Sequence, residues 1–308
     1  MTKKQKEQEN LERSALKAYK MECRKNVTLQ FFKEFAKNHV AWIQKLADAY
    51  KSSDAKRLGI FGLANNYSND RDVEIALFAC LLLSDNEHLL KQQETVYEIL
   101  GSHPYSKIIK GRGFVEISTG ENQNKRVPGT FVLYFEVAQL LSRLYDIIEE
   151  YGSVCNCVWS IMTENKFFDP YIALSNILMG MKINQRQYKL NLLLLILCTK
   201  DGIGMDLWNL PKESLLCPEN KSIIEFLEIW LPDYHECGLT FDRAVNAFEL
   251  KSQTDFYYAY CGFELLRKLK ATEVAKYVHL YQTRWKGRDK RRLYEIKKLQ
   301  PAISFEVE

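Results

Sequence analysis

The most constraining feature of the sequence is the segment DRDVEIALFACLLL at residues 70–83. Asn69 stands where a helix N-cap residue belongs, and Asp70 and Asp72 follow in the first turn, where the positive end of the helix dipole favours carboxylates. Beyond Val73 the segment is apolar on nearly every side, and such a helix is normally buried at the centre of a domain. The segment therefore predicts the central helix of an all-α fold.

Helical patterns continue along most of the chain. The periodicity of apolar residues and the placement of glycine and proline predict helices at 28–50, 87–100, 131–151, 170–180, 188–198, 218–230, 240–250, 254–269, 271–283 and 287–299. The exception is residues 111–129, where Gly, Asn, Ser and Thr cluster and the alternation in FVEIS indicates either a long loop or a small β-hairpin. We expect an all-α, multi-helix fold with at most one short β-hairpin.

The organisation of the chain follows from the same patterns. Residues 1–25 are rich in Lys, Glu and Gln and predict a charged helix or a flexible tail. Residues 26–308 form one helical region, for which a division into two lobes near 111–130 is the alternative. A basic segment lies toward the C-terminus, at 284–298.

Several classes of protein are excluded by composition and spacing. The eight cysteines and five histidines show no ligand spacing, and the only close pair, Cys155 and Cys157, has no second pair to complete a zinc site. No Gly-rich phosphate loop is present, so we predict no metal, no other cofactor and no P-loop hydrolysis. The apolar run at 190–198 is shorter than the roughly 20 residues that cross a bilayer. The charged N-terminus lacks the apolar core of a signal peptide, which predicts a cytoplasmic protein without a membrane partner.

The segments 171–180 and 187–198 predict two helices joined by a short polar turn. The turn and the start of the second helix supply Asn184, Gln185, Arg186 and Lys189. A helix hairpin of this kind can present backbone amides and basic side chains to a phosphate. Helix hairpins are also common packing units of all-α folds, so a purely structural interpretation stays open.

A basic cluster near the C-terminus is the second candidate for phosphate contacts. It contains Lys286, Arg288, Lys290, Arg291 and Arg292, with Trp285 and Tyr294 interleaved. Each Lys or Arg that meets a DNA phosphate releases condensed counterions, which favours binding. The alternative is an ordinary solvated helix face.

The run QYKLNLLLLILCTKDGIGMDLWNLPKESLLCPENKSIIEFL, at residues 187–227, carries a family resemblance. Its order of elements is a lysine-bearing helix, then Asp206 and Trp208, then an apolar pair and Pro218 before Glu219 and Lys221. It resembles a family of mostly bacterial helical proteins that are distantly related to the helix-hairpin-helix DNA glycosylases. That family includes the α-glutamyl and putrescinyl thymine pyrophosphorylases. The resemblance implies a glycosylase-like fold and a ligand that is a DNA base or a modified pyrimidine.

The resemblance also implies roles for individual residues. Glu219 stands where the glycosylases have an aspartate that stabilises positive charge on the sugar and activates water. Lys189 lies one position from the place of the Schiff-base lysine of the bifunctional members, and one residue rotates a side chain by about 100°. Asp206 and Trp208 are expected to order the hairpin. A carboxylate near a helix start also stabilises the helix dipole, which is the structural alternative for Glu219.

Three functions are consistent with these patterns. The first is a DNA-binding protein related to base-excision glycosylases that contacts DNA through Asn184, Gln185, Arg186, Lys221 and the C-terminal cluster. The second is a non-catalytic member that only binds DNA. The third is a helical protein-interaction module.

Overall fold

The computed structural model describes residues 36–37, 39–52, 66–84, 92–109, 124–166, 168–200, 202–231 and 234–268. These residues are predominantly α-helical. The helices are Val40–Ser52 (α1), Asp70–Leu83 (α2), Gln93–Leu100 (α3), Pro104–Ile109 (α4), Tyr134–Tyr151 (α5), Val154–Glu164 (α6), Pro170–Ile177 (α7), Arg186–Cys198 (α8), Lys221–Trp230 (α9), Phe241–Asn246 (α10) and Gln253–Lys268 (α11). Within the described ranges there is no β-strand, and one isolated antiparallel bridge pairs Arg126 with Leu133. The predicted all-α class is confirmed.

The chain divides into two compact units. The first unit contains residues 1–41, 224–249 and 263–308, and the second contains 42–223 and 250–262. Residues 104–109 and 124–151, on either side of the predicted lobe boundary, both belong to the second unit. The two units therefore do not divide at 111–130.

Helix α2 lies at the centre of the second unit, as its sequence predicts. The Asn69 side chain accepts a hydrogen bond from the Asp72 amide at 3.0 Å, which is the expected N-cap. From Asp72 to Leu83 every side chain except that of Glu74 is buried. Helices α3, α4, α5 and α8 all pack against α2. The apolar side chains on all sides of this helix are thus covered by neighbouring helices.

Helix α8 is the second buried helix of this unit. Its residues from Tyr188 to Cys198 are all buried, and it packs against α2 and against α7. Helix α7 begins at Pro170 after the N-cap Asp169, whose carboxylate accepts from the Tyr171 amide at 2.9 Å. Helix α6 packs against α7 and α5, which connects the hairpin to the rest of the unit.

Some helix boundaries differ from the prediction. Helix α9 begins at Lys221 and not at Pro218, because the Asn220 carboxamide oxygen accepts from the Ile223 amide at 2.9 Å and caps the helix. Pro104 begins the short helix α4, which was not predicted. Helix α6 was not predicted separately. The predicted helices at 271–283 and 287–299, the tail at 1–25 and the FVEIS segment lie outside the described residues.

The described part of the first unit contains a small aromatic cluster. The Phe226 ring lies 6.0 Å from that of Trp230 and 5.2 Å from that of Phe263, between centroids. The centroid of the His39 ring lies 5.4 Å from that of Trp230. None of the predicted site residues lies in this described part, so the candidate site is built from the second unit alone.

Candidate nucleic-acid interface

The predicted helix hairpin is formed by α7 and α8, which pack against each other and are joined by residues 178–185. Gly180 in this turn has φ +84°, a conformation that glycine adopts without strain. Gln185 has φ +50° and directly precedes the first residue of α8. The turn therefore reverses the chain through two left-handed residues, and Asn184 and Gln185 are exposed at its end.

Arg186 holds this turn together. Its Nη2 donates to the Ser175 carbonyl at 2.7 Å, its Nη1 donates to the Met181 carbonyl at 3.1 Å, and its Nε donates to the Ser175 hydroxyl at 3.3 Å. These bonds satisfy carbonyl groups at the end of α7 and in the turn, which have no partner inside the helix. Arg186 was predicted to contact DNA, but most of its guanidinium donors bind the protein. In this structure the residue orders the hairpin.

The segment that contains Glu219 and Lys221 meets the first turn of α8. The Gln187 carboxamide Nε2 donates to Glu219 Oε2 at 3.1 Å. Asn220 is buried as the N-cap of α9, and Lys221 is the exposed first residue of that helix. The start of α9 is thereby placed beside the start of α8. Residues 184–186 and 219–221, separated in the sequence, lie at one surface.

We define the α8–α9 surface by its exposed polar side chains, which are Lys182, Asn184, Gln185, Gln187 and Lys221. Neither helix has an acidic residue in its first turn. Each helix N-terminus carries a partial positive charge of roughly half an elementary charge from its unpaired amides. Glu219 contributes the opposing negative charge between them. The amides of the two helix starts are the groups of this surface that suit an anion, and Glu219 opposes its binding.

Lys189 lies on a different side of α8 from this surface. Its side chain is fully buried, and its Nζ donates to the backbone carbonyl of Ser84, the C-cap residue of α2. Gln187, the partner of Glu219, is two residues away, and two residues on a helix differ by about 200°. The two predicted catalytic residues therefore do not face one cleft. In this structure Lys189 ties α8 to the end of α2.

The segment 205–208 closes the C-terminal end of α8. The amides of Met205, Asp206 and Trp208 donate to the carbonyls of Ile196, Thr199 and Leu197 at 2.7, 2.8 and 2.8 Å respectively. Asp206 has φ +56°, and a Cβ atom on Gly204 would lie 2.0 Å from the Thr199 carbonyl oxygen. The chain thus passes so close to the helix end that only glycine fits at 204. This arrangement supplies partners for the last carbonyls of α8.

Trp208 is a core residue. Its indole is 3% exposed, its centroid lies 6.2 Å from that of Phe78, and its Nε1 donates to Glu74 Oε1 at 2.9 Å. Burial raises the pKa of Glu74 to about 7, although the Trp208 indole and the nearby Arg71 guanidinium both lower it. Asp206 and Trp208 thus lie at the C-terminal end of α8, whereas the hairpin turn that they were predicted to order precedes its N-terminal end. Their side chains lie away from the α8–α9 surface, at the opposite end of α8.

Two polar residues of the core were missed by the sequence analysis. Glu74 is one, and Asn191 is the other: it is 2% exposed, and neither its Nδ2 nor its Oδ1 has a hydrogen-bond partner within the described part of the chain. Asn191 lies one turn after Gln187 and so on the same side of α8. The available signal was a polar residue inside an otherwise apolar run.

The remaining predictions concern the C-terminal basic cluster, metal binding, the cysteines and the membrane. The basic residues Lys286, Arg288, Lys290, Arg291 and Arg292 lie outside the described residues. Among the residues that are described, no group of three or more His, Cys, Asp or Glu side chains is placed to hold a metal ion. The six cysteines with described side chains are reduced thiols, and burial raises the pKa values of Cys155 and Cys157 to about 11. No helix in the described ranges has the length and apolarity to cross a membrane.

The fold and the α8–α9 surface define an all-α protein that carries a helix hairpin with a polar, two-helix-start surface. The chain matches no protein-family model, and no curated protein and no solved structure matches it. The resemblance to the helix-hairpin-helix glycosylases stays a prediction that rests on the sequence pattern.

Proposed function

We propose that this protein is a cytoplasmic DNA-binding protein that contacts the phosphate backbone through the α8–α9 surface. The observation that carries the proposal is the hydrogen bond between Gln187 and Glu219, which joins the start of α8 to the start of α9. The starts of the two helices then lie close together, Lys221 is exposed at the start of α9, and Lys182 is exposed in the turn that precedes α8. Phosphate oxygens are the DNA groups that such a surface recognises.

The α8–α9 surface supplies only part of the binding energy in this proposal. Two lysines and two helix dipoles are a small positive charge for a DNA site, and Glu219 opposes them. The C-terminal cluster at 286–292 supplies the remaining cations. Contacts of this kind carry no sequence information, so the proposal concerns affinity and register and not the choice of a base sequence.

The proposal extends to a damaged or modified pyrimidine base as the ligand that Glu219 meets. This step rests on the glycosylase resemblance and on the position of Glu219 beside the two helix starts. A carboxylate there would stabilise positive charge on the sugar as the base leaves. Lys189 has no part in the step, because it is buried on another side of α8.

Salt-dependent duplex binding tests the first part. Fluorescence anisotropy with a labelled duplex should show affinity that falls steeply with salt, with a slope of about 0.9 per phosphate contact. Lys182→Glu and Lys221→Glu should each weaken binding and reduce that slope by about 1 or more. Lys45→Glu is the matched control, since Lys45 is an exposed lysine elsewhere in the second unit, on α1. Equal losses in all three variants, or binding insensitive to salt, would refute the assignment of this surface.

Base release tests the second part. Glu219→Gln retains an oxygen that can accept the hydrogen bond from Gln187 but removes the negative charge. DNA affinity should therefore be retained or rise, while base release is lost. Duplexes that carry damaged or modified pyrimidines are the substrates. Release at the wild-type rate by the variant would remove Glu219 from the chemistry. DNA binding without release by either protein would identify the non-catalytic alternative.

A protein-interaction module is the second candidate, and the surface of α7 favours it. Phe168, Ile172 and Met179, which lie before, on and after α7, are exposed large apolar side chains. Exposed large apolar side chains in one region of the chain are typical of sites that contact another protein. Loss of a stoichiometric protein complex in Ile172→Ser, with unchanged duplex binding, would separate this function from DNA binding.

A further inference from the structure

The segment 125–134 folds into a tightly ordered hairpin that the proposed function does not use. The Val127 amide donates to the Val132 carbonyl at 2.8 Å, and the Tyr134 amide donates to the Lys125 carbonyl at 3.1 Å. Pro128 and Gly129 occupy the two central positions of the turn, and Gly129 has φ +72°, as a type II turn requires. The Thr130 amide closes this turn on the Val127 carbonyl at 3.1 Å.

Buried side chains fix the base of this hairpin. Val127, Thr130 and Val132 are buried. The Thr130 hydroxyl donates to the Val127 carbonyl at 3.0 Å and accepts from the Val132 amide at 3.2 Å. On the outside, the Gln92 carboxamide donates to the Gly129 carbonyl at 3.4 Å. The backbone of Phe131, between the two buried residues Thr130 and Val132, is thus held by the hairpin.

Phe131 is the most exposed large apolar side chain of the described residues, at 74%. The Arg126 guanidinium lies over one face of its ring, 5.6 Å from the centroid, and contributes a cation–π contact. A phenylalanine that only filled space would gain more by being buried. A rigid hairpin that holds an aromatic ring in solvent, backed by a cation, is therefore a preformed contact surface.

We propose that Phe131 and Arg126 form a stacking platform for an unpaired base of a single-stranded nucleic acid. The open face of the ring accepts a base, and Arg126 and Lys125 meet the adjacent phosphates. Aromatic rings beside cations are the common elements of single-strand binding sites, because every base has a flat face and every nucleotide a negative charge.

Charge favours a nucleic acid over a protein as the occupant. The exposed side chains from 124 to 131 belong to Asn124, Lys125, Arg126, Pro128 and Phe131, which carry two positive charges and no negative charge. Glu136, the next carboxylate after Phe131 along the chain, accepts from the Leu133 amide at 2.8 Å and caps α5. The platform does not depend on the α8–α9 surface, which is proposed to contact duplex phosphates.

Binding of a labelled oligothymidylate tests this proposal on the full chain. Phe131→Leu keeps an apolar side chain but removes the ring, and it should weaken binding by about fivefold or more. Phe131→Trp should retain or strengthen binding. Phe168→Leu is the matched control, because Phe168 is another phenylalanine of the second unit with 67% exposure, and this variant should bind as the wild type does. Oligouridylate, tested in parallel, shows whether the platform distinguishes DNA from RNA.

Photocrosslinking supplies a readout that a structural role would not produce. A strand carrying 5-bromouracil should crosslink to the 124–133 segment, and Phe131→Leu should lose that crosslink while Lys221→Glu retains it. If Lys221→Glu loses duplex binding but keeps the crosslink, the platform is supported independently of the α8–α9 surface. Oligothymidylate binding by Phe131→Leu that equals the wild type, or a crosslink elsewhere in the chain, would overturn the platform. An equal loss in Phe168→Leu would overturn it as well.

Discussion

The burial of Glu74 predicts that the folded protein loses stability as the pH rises from about 4.5 to about 7. Glu74 lies on the central helix α2, and its carboxylate accepts from the Trp208 indole at 2.9 Å. Burial raises the pKa of this carboxyl from 4.5 to about 7. Between these two values the folded state holds a proton that the unfolded state releases. Stability therefore falls with rising pH through this window and is constant above it.

The magnitude follows from the same two pKa values. A pKa difference of one corresponds to about 1.4 kcal/mol, so the pKa of about 7 corresponds to a loss on the order of 3 kcal/mol. Glu74 keeps part of its surface open to solvent, and screening there lowers the expected loss to about 2 kcal/mol. A loss of this size is a substantial fraction of the net stability of a domain, which is about 5–15 kcal/mol.

Urea unfolding of the wild type and of Glu74→Gln, followed by circular dichroism between pH 5 and pH 8, measures this effect. The glutamine retains the acceptor for Trp208 but cannot ionise, so the variant should match the wild type at low pH and exceed its stability by about 2 kcal/mol above neutrality. Glu149→Gln, which changes an exposed carboxyl on α5, is the control and should gain nothing. Wild-type stability that stays level or rises through the window would refute the reasoning.

Three further predictions concern the core around α8. Gly204→Ala should cost about 1–3 kcal/mol or more in urea unfolding, because its Cβ would meet the Thr199 carbonyl oxygen at 2.0 Å; a neutral result would contradict that approach. Lys189 should yield no borohydride-trapped complex with abasic DNA, since its buried amine bonds to Ser84, and trapping in the wild type but not in Lys189→Met would contradict this. Asn191→Leu should raise stability by about 1–2 kcal/mol, because it removes a buried amide without a partner; a loss of stability would indicate a bridging water.

The helices that could be predicted from the sequence are those whose ends carry their own signals. Helix α2 has its Asn69 cap and two early aspartates, and α7 has Pro170 directly after Asp169. Both helices begin where these residues predict. The start of α9 was misplaced because Pro218 and Asn220 are both good start signals, and only the hydrogen bond to the Ile223 amide shows which one caps the helix.

The candidate site could be predicted less well, and the reason is the burial of α8. Periodicity identifies the outer face of a helix only when one side is polar, whereas α8 is buried from Tyr188 to Cys198 on all sides. Lys189 was therefore taken for an accessible amine. Residues 184–186 and 219–221, which were both singled out in the sequence, do lie close together. The hydrogen bond that joins the two segments involves Gln187, which was not singled out.

Most conspicuous polar residues of the second unit share one structural task, which is to satisfy the ends of helices. Arg186 serves the end of α7, Lys189 the end of α2, and Asn220 the start of α9. An all-α chain leaves four unpaired amides and four unpaired carbonyls per helix, so such tasks account for polar residues before any function is invoked. Asn191 and Phe131 do not fit this account, because the amide of one has no partner in the described structure and the ring of the other lies largely in solvent. Neither residue is required by the fold as it stands. Variants of Phe131 therefore separate function from stability more cleanly than variants at the residues that first attract attention in the sequence, whereas Asn191→Leu changes stability itself.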